Sequence, residues 1–277
     1  MDQAPSTPTG SERPPLVTQV WNGVSAWPRA LLVEIGTVAT LLGQTIFWAV
    51  RPPYRFRLLV ASMEFVGVQS IFIVGLTGLF VGMVFGIQLV DGFRQFNAEN
   101  LASAVVGVAL TRELAPVFAS LMVSARAGSA MCTELGSMRV TDQVDALTTM
   151  AVSPVQYLVV PRVIAAALML PVLTMLFNLV GIYGAYLVAV KLLGLDPGIF
   201  VEQVRYVVDA KDVTQGLVKS IFFGFTIALI ACRQGFFAQG GAAGVGQATT
   251  RAVVQSAVAI LVLDYVITAI ITGQGGL

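Results

Sequence analysis

Residues 65–90 read FVGVQSIFIVGLTGLFVGMVFGIQLV, 26 positions without a charged side chain. The hydrocarbon core of a bilayer is crossed by about 20 mostly apolar helical residues. This stretch therefore predicts a membrane span, and it decides how the rest of the chain is read. Four further stretches have the same character: about 101–125, with Arg112 and Glu113 in its middle; 163–190, uncharged and bent at Pro171; 213–232, with Lys219; and 252–271, with Asp264. Composition agrees. Of 277 residues, 56% are hydrophobic and 11% charged, where a soluble domain has about 25% charged. The fold class is an all-α integral membrane protein with five transmembrane helices.

Sixteen basic residues against fifteen acidic ones leave a net charge of +1, and histidine is absent. That balance offers no basic field to nucleic acid. Without histidine, His-based zinc sites and His-dependent catalytic triads are excluded, and neither a catalytic group, a metal site nor a bound cofactor is expected. Cys132 and Cys232 are too few for a disulfide framework and read as small core residues.

Ahead of the first span, residues 1–29 form a Pro-rich leader, expected to be disordered, without the apolar run of a cleaved signal. Residues 30–50 are apolar but repeat Glu34, Thr37, Gln44 and Thr45 on one helical face, with Leu31, Ile35, Val38, Leu42 and Ile46 on the other. That pattern, closed by Trp48 and by Arg51, Arg55 and Arg57, predicts a helix lying in the headgroup region. With the N-terminus inside, ten basic residues fall on the cytoplasmic side and five on the other, so the positive-inside rule places the N-terminus in the cytoplasm and the C-terminus outside.

The loop 126–162 has helical patterning but too little apolar length to span, and reads as a cytoplasmic platform between spans two and three. Thr141 is a plausible N-cap, Asp142 and Asp145 place negative charge in the first turn, and Val140, Val144, Leu147 and Ala151 form an apolar face. A short amphipathic helix at the membrane surface is what a soluble motor needs to push on.

These segments resemble a known family. Leu110-Thr-Arg-Glu-Leu-Ala-Pro116, Ala125-Arg-Ala-Gly128, Thr133-Glu-Leu-Gly136, Val140-Thr-Asp-Gln-Val-Asp-Ala-Leu147, Val160-Pro-Arg162 and, near the C-terminus, Gly240–Gly246 with Leu263-Asp-Tyr265 look like the MlaE family, the permease subunits of ABC transporters that work with MCE proteins. The resemblance runs over 30–277. It implies an N-terminal interfacial helix, five spans and a coupling helix, in a homodimer in the bacterial inner membrane. It also implies cytoplasmic ATPase subunits that carry ATP and Mg, a periplasmic MCE hexamer and, in some members, a STAS-domain protein. Phospholipid would pass to the MCE partner and support outer-membrane lipid asymmetry; other members of the same fold import sterol-like lipids. The ATPase contact implied for this chain comprises Glu134, Met138, Asp142, Asp145, Leu147 and Met150.

An ionisable group at depth is costly unless paired or hydrated. Arg112, Glu113, Lys219 and Asp264 are therefore expected to form a polar network, with Asp264 meeting Arg112 and Lys219 meeting Glu113. Such a network is either a bridge that sets helix register or a switch that breaks in one transport state. Gly78, Gly82 and Gly86, at four-residue spacing, permit close helix packing. Phe72, Leu76, Leu79, Val81 and Phe85 offer an apolar wall suited to acyl chains. The glycines of 240–246 are followed by no Lys-Ser or Lys-Thr and read as a turn, with Thr249 or Thr250 capping span five. Two rival readings are an intramembrane enzyme using Glu113 and Asp264, and a channel or carrier that works without an ATPase.

Overall fold

The structure is a computed structural model that describes residues 36–48, 51 and 55–274, so the expected leader and part of the expected interfacial helix lie outside the described residues. The chain divides into two compact units, Met1–Leu41 and Leu42–Leu277, and the five spans belong to the second. Among the described residues all regular structure is helical. Within the helix over residues 36–48 (α1), Leu41 and Thr45 are buried and Ile46 is exposed. The buried stripe is thus one position away from the expected Leu42 and Ile46 face.

Five helices are long and apolar enough to cross a membrane. The first, Phe56–Arg94, comprises α2 (Phe56–Val66) and α3 (Ile71–Arg94), joined by a 3-10 turn at Val68–Ser70. The second is α4 (Asn100–Val140), whose 41 residues rise about 60 Å. Residues 126–140, expected in the platform loop, therefore continue span two. The reason lies in their small side chains: an added Cβ on Gly136 would sit 3.1 Å from Val245, and one on Gly128 3.2 Å from Ile227. Such residues lower hydropathy but let helices approach closely. The platform is reduced to α5 (Gln143–Thr149) and its turns. Asp142 and Ala151 on either side of it hold left-handed backbone, with φ of 58° at both. Thr141 ends α4 rather than starting α5.

The third span is α6 (Val155–Leu192), followed by α7 (Pro197–Val207), whose N-terminus is capped by the Asp196 carboxylate accepting from the Gly198 and Ile199 amides at 2.8 and 3.0 Å. The fourth and fifth are α8 (Ala210–Phe236) and α9 (Gly241–Gln274). α9 begins about ten residues before the expected span five. Gly240 and Gly241 make the turn with φ of 88° and 66°. Thr249 and Thr250 consequently lie inside the helix, donating to the carbonyls of Val245 and Gly246 at 2.9 and 3.1 Å instead of capping it.

Of the four π-helical turns among the described residues, Ser124–Gly128 in α4 and Leu187–Leu192 in α6 have no proline next to them, whereas Leu110–Leu114 in α4 and Val155–Val159 in α6 each sit just before one, Pro116 and Pro161. A proline lacks the N–H of the regular ladder and crowds the preceding turn, and a widened turn accommodates both effects.

α3 packs along α6 through the glycine stripe. Gly78, Gly82 and Gly86 are buried against Phe177, Gly181 and Ala185 in turn. α8 is the most enclosed span and α9 the least. A Cβ on Gly82 would overlap the Gly181 carbonyl, whereas one on Gly75 meets nothing within 4 Å. Gly82→Val is therefore expected to destabilise by about 1–3 kcal/mol or more and Gly75→Val to be near neutral, as read by thermal unfolding of the detergent-purified protein. Equal melting temperatures would contradict this packing.

Candidate functional site

Arg112, Glu113, Asp212, Lys219 and Asp264 come together where α4, α8 and α9 meet. α8 is drawn close to its neighbours by Gly216 and Gly224, where a side chain would overlap the carbonyls of Thr111 and Ala166. One turn beyond Gly216, Lys219 is fully buried. Its Nζ donates to Glu113 Oε2 at 2.5 Å and to Asp264 Oδ1 at 2.9 Å. The ammonium thus ties three helices together, with one carboxylate bonded on either side of it. That geometry is a clasp and not an acid dyad, which removes the basis for the intramembrane enzyme reading.

Arg112 takes a different partner from the one expected. Its Nε donates to Asp212 Oδ1 at 2.6 Å, while Asp264 is on Lys219. Asp212 is almost wholly buried and has a second role: its Oδ2 accepts from the Asp209 amide at 3.0 Å, forming a capping box with Asp209 at the start of α8. Arg112 and Glu113 both lie in the π turn Leu110–Leu114, so two adjacent residues of α4 reach positions two turns apart on α8. Sequence reasoning missed Asp212. The available signal was Asp209-Ala-Lys-Asp212, two acids three apart ahead of an apolar run.

Arg126, expected in a flanking loop, is inside α4 and bonds to the break between α2 and α3. It donates to the Phe65 carbonyl at 2.5 Å, to Ser70 Oγ at 3.1 Å and to Gln69 Oε1. The guanidinium also lies 4.9 Å over the Phe65 ring. It thereby supplies donors to a helix interruption that could not stand unsatisfied in lipid.

At the α5 end, the six residues assigned by resemblance to the ATPase contact divide. Asp142, Asp145 and Met150 are exposed, and Asp145 accepts from Arg139 at 2.5 Å. Leu147 is partly buried against the core, as is Met138. Glu134 pairs with Arg162 at 2.8 Å. Of the expected apolar face, Val144 is buried, whereas Val140 and Ala151 are exposed.

The five residues of the apolar wall divide between two environments. Phe72 and Leu76 are exposed on α3, while Leu79, Val81 and Phe85 are partly buried, Leu79 lying against Gly184 of α6.

Comparison with known proteins gives this arrangement its context. Residues 59–270 match the family described as Permease MlaE. A probable ABC transporter permease protein of Rickettsia bellii is 39% identical over 253 residues, covering 91% of this chain and 98% of its own. The intermembrane phospholipid transport system permease protein MlaE of Haemophilus influenzae is 40% identical over 222 residues, 80% of this chain and 85% of its own. The chloroplast protein trigalactosyldiacylglycerol 1 of Arabidopsis thaliana is 34% identical over 250 residues, 90% of this chain and 68% of its own. The chain belongs to the MlaE permease family and is a multi-pass membrane protein.

The pairing makes a direct prediction. Arg112→Asp is expected to lower thermal stability, and Asp212→Arg in the same chain to restore part of it, the capping box of α8 staying lost, whereas Asp264→Arg is not. Lys219→Ala leaves two carboxylates facing each other and should cost about 3–5 kcal/mol. Rescue of R112D by D264R in melting experiments would refute the assignment.

Proposed function

We propose that the chain is the permease half of an ABC-type transporter of the bacterial inner membrane that moves phospholipid between that membrane and a periplasmic MCE partner. The observation that carries this reading is α5. It is a seven-residue helix between two long spans, α4 and α6, in a chain of the MlaE permease family. The name of the Haemophilus relative, an intermembrane phospholipid transport system permease, supports phospholipid as cargo; a role in outer-membrane lipid asymmetry is part of the same proposal.

The protein is not itself an enzyme in this reading. ATP and Mg belong to separate cytoplasmic subunits that press on α5, and a STAS-domain protein joins them in some assemblies. Arg51, Arg55, Arg57, Arg139 and Arg162 support a cytoplasmic position for the α5 end, with the N-terminus inside and the C-terminus periplasmic. On the least enclosed span, Val254, Val258, Leu261 and Tyr265 are exposed at helical spacing, which supports packing against a second copy in a homodimer.

The mechanical sequence follows from the geometry. Closure of the ATPases displaces α5, whose left-handed flanks at Asp142 and Ala151 act as pivots. The Arg139–Asp145 bridge passes the displacement into α4. α4 carries Arg112 and Glu113 in its π turn, so their bonds to Asp212 and Lys219 shift against α8 and reshape the space in which the lipid sits.

A self-contained carrier is the second reading, favoured by the clasp around Lys219. ATP dependence separates the two. Met150 is exposed and apolar on the proposed contact, so Met150→Asp should leave thermal stability unchanged. An exposed anchor of this kind contributes about 1–2 kcal/mol to an interface, and the variant should cut ATPase co-purification and ATP-dependent transfer of fluorescent phospholipid roughly tenfold. Transfer that proceeds at full rate without ATP would overturn the transporter reading.

A further inference from the structure

A cavity of about 370 Å³ lies at the α5 end of the bundle, in the corner between α2, α4 and α6. It is distinct from the Lys219 clasp. α2 turns Leu58, Ala61 and Phe65 toward it, one face at helical spacing, and α4 contributes Met138. The polar part comes from Glu134 and Arg162, which are paired with each other, and from Tyr157 in the π turn of α6. π turns recur where a helix presents side chains to a ligand.

Charge at this corner is net positive: the one carboxylate of the lining, Glu134, is paired with Arg162, and the arginines at the start of α2 add to that. Arg55 lies 4.5 Å over the Tyr157 ring, at the cavity edge. Among the described residues neither Arg55 nor Arg57 has a carboxylate within ion-pair distance. The acid of α2, Glu64, points about 110° round the helix from the cavity face. Arg162 spends one nitrogen on Glu134 and another on the Leu158 carbonyl, which leaves part of its five-donor fork unspent. The cavity face of α2 starts within two residues of the helix end at Phe56, and the ends of a spanning helix are where headgroups meet acyl chains. The volume is at the lower end of small-molecule sites, about 300–1,000 Å³. It suits a headgroup with its chains left in the bilayer, not a whole lipid.

We propose that this corner binds the anionic phosphodiester headgroup of a membrane phospholipid, with Arg55 and Arg162 on the phosphate and the acyl chains running along the apolar face of α2. The guanidinium of Arg55 stacks on Tyr157 and Arg55 is exposed, and a guanidinium held on an aromatic ring still has N–H donors for a phosphate. The bound lipid touches Phe65, which Arg126 also holds, so occupancy stiffens the break between α2 and α3. This site does not depend on the transport reading, because it needs neither an ATPase nor a cargo route.

The test is native mass spectrometry of the full-length purified protein with phosphatidylglycerol or phosphatidylcholine added. The wild type should retain the anionic lipid about tenfold better. Arg55→Gln should remove that preference, and Ala61→Trp, which fills the cavity, should lower retention of both. Arg94→Gln, at the other end of the bundle, should change neither. Melting temperatures identify any variant that fails to fold, and Ser62→Phe offers a second way to fill the same space. Absence of a headgroup preference in the wild type, or a preference that survives Arg55→Gln or the filled cavity, would overturn the proposal. A soluble partner's acidic residue as the true occupant would give this second result.

Discussion

An ammonium group taken out of water must be compensated where it lies, and the burial of Lys219 imposes that condition on three helices at once. Its two carboxylates come from α4 and α9, so neither helix can rotate or slide against α8 without uncovering a charge. Apolar packing alone tolerates such sliding, because lipid is as good a neighbour for leucine as another helix. The clasp therefore supplies the register that hydrophobicity cannot. Arg112 and Asp212 add a second fixed point on the same pair of helices, and Asp212 binds the ion pair to the integrity of the α8 N-terminus.

The clasp works only because the backbones are close. Gly216 and Gly224 bring α8 to its neighbours, and the stripe Gly78, Gly82 and Gly86 does the same for α3 on α6. Removing side chains at these positions gives up little hydrophobic transfer energy in a membrane and gains dense van der Waals contact. Polar side chains and missing side chains thus serve one end: they define which faces meet. The large apolar residues, exposed in number along α3 and α9, are left for lipid or for a partner chain.

How much of this was legible in the sequence depends on what marks each element. The five spans were legible because an uncharged run as long as 65–90 matches the thickness of a bilayer and exceeds what a soluble core encloses. The pairing of Lys219 with Glu113 was legible from the scarcity of intramembrane charge. The extent of α4 and α9 was not, because Ser, Thr, Ala and Gly in 126–140 and 241–251 look like loop by hydropathy while serving as packing surface. Arg112's partner was missed for a related reason: Asp212 sits just before the apolar run and reads as a solvated flank, whereas the fold buries it against the π turn of α4. The resemblance to MlaE permeases pointed to the α5 region as a whole, whereas the exposure of Met150 and the pairing of Glu134 with Arg162 arise only from the packing of α4 on α6.

The length of α4 has a consequence of its own. At about 60 Å it is about twice as long as the hydrocarbon is thick, and its π turn with the Asp212 contact lies near one end. Measured from that turn, the rod has two unequal arms, and the longer one is itself packed through Gly128 and Gly136. From Arg112 to Val140 the long arm measures about 42 Å, so a tilt of about 5° moves the α5 end by about 4 Å while the charged turn barely translates. In the transport reading proposed above, a large displacement at the α5 end would reach the clasp as a small rotation, the kind of motion that changes which hydrogen bonds are made while the bundle stays packed.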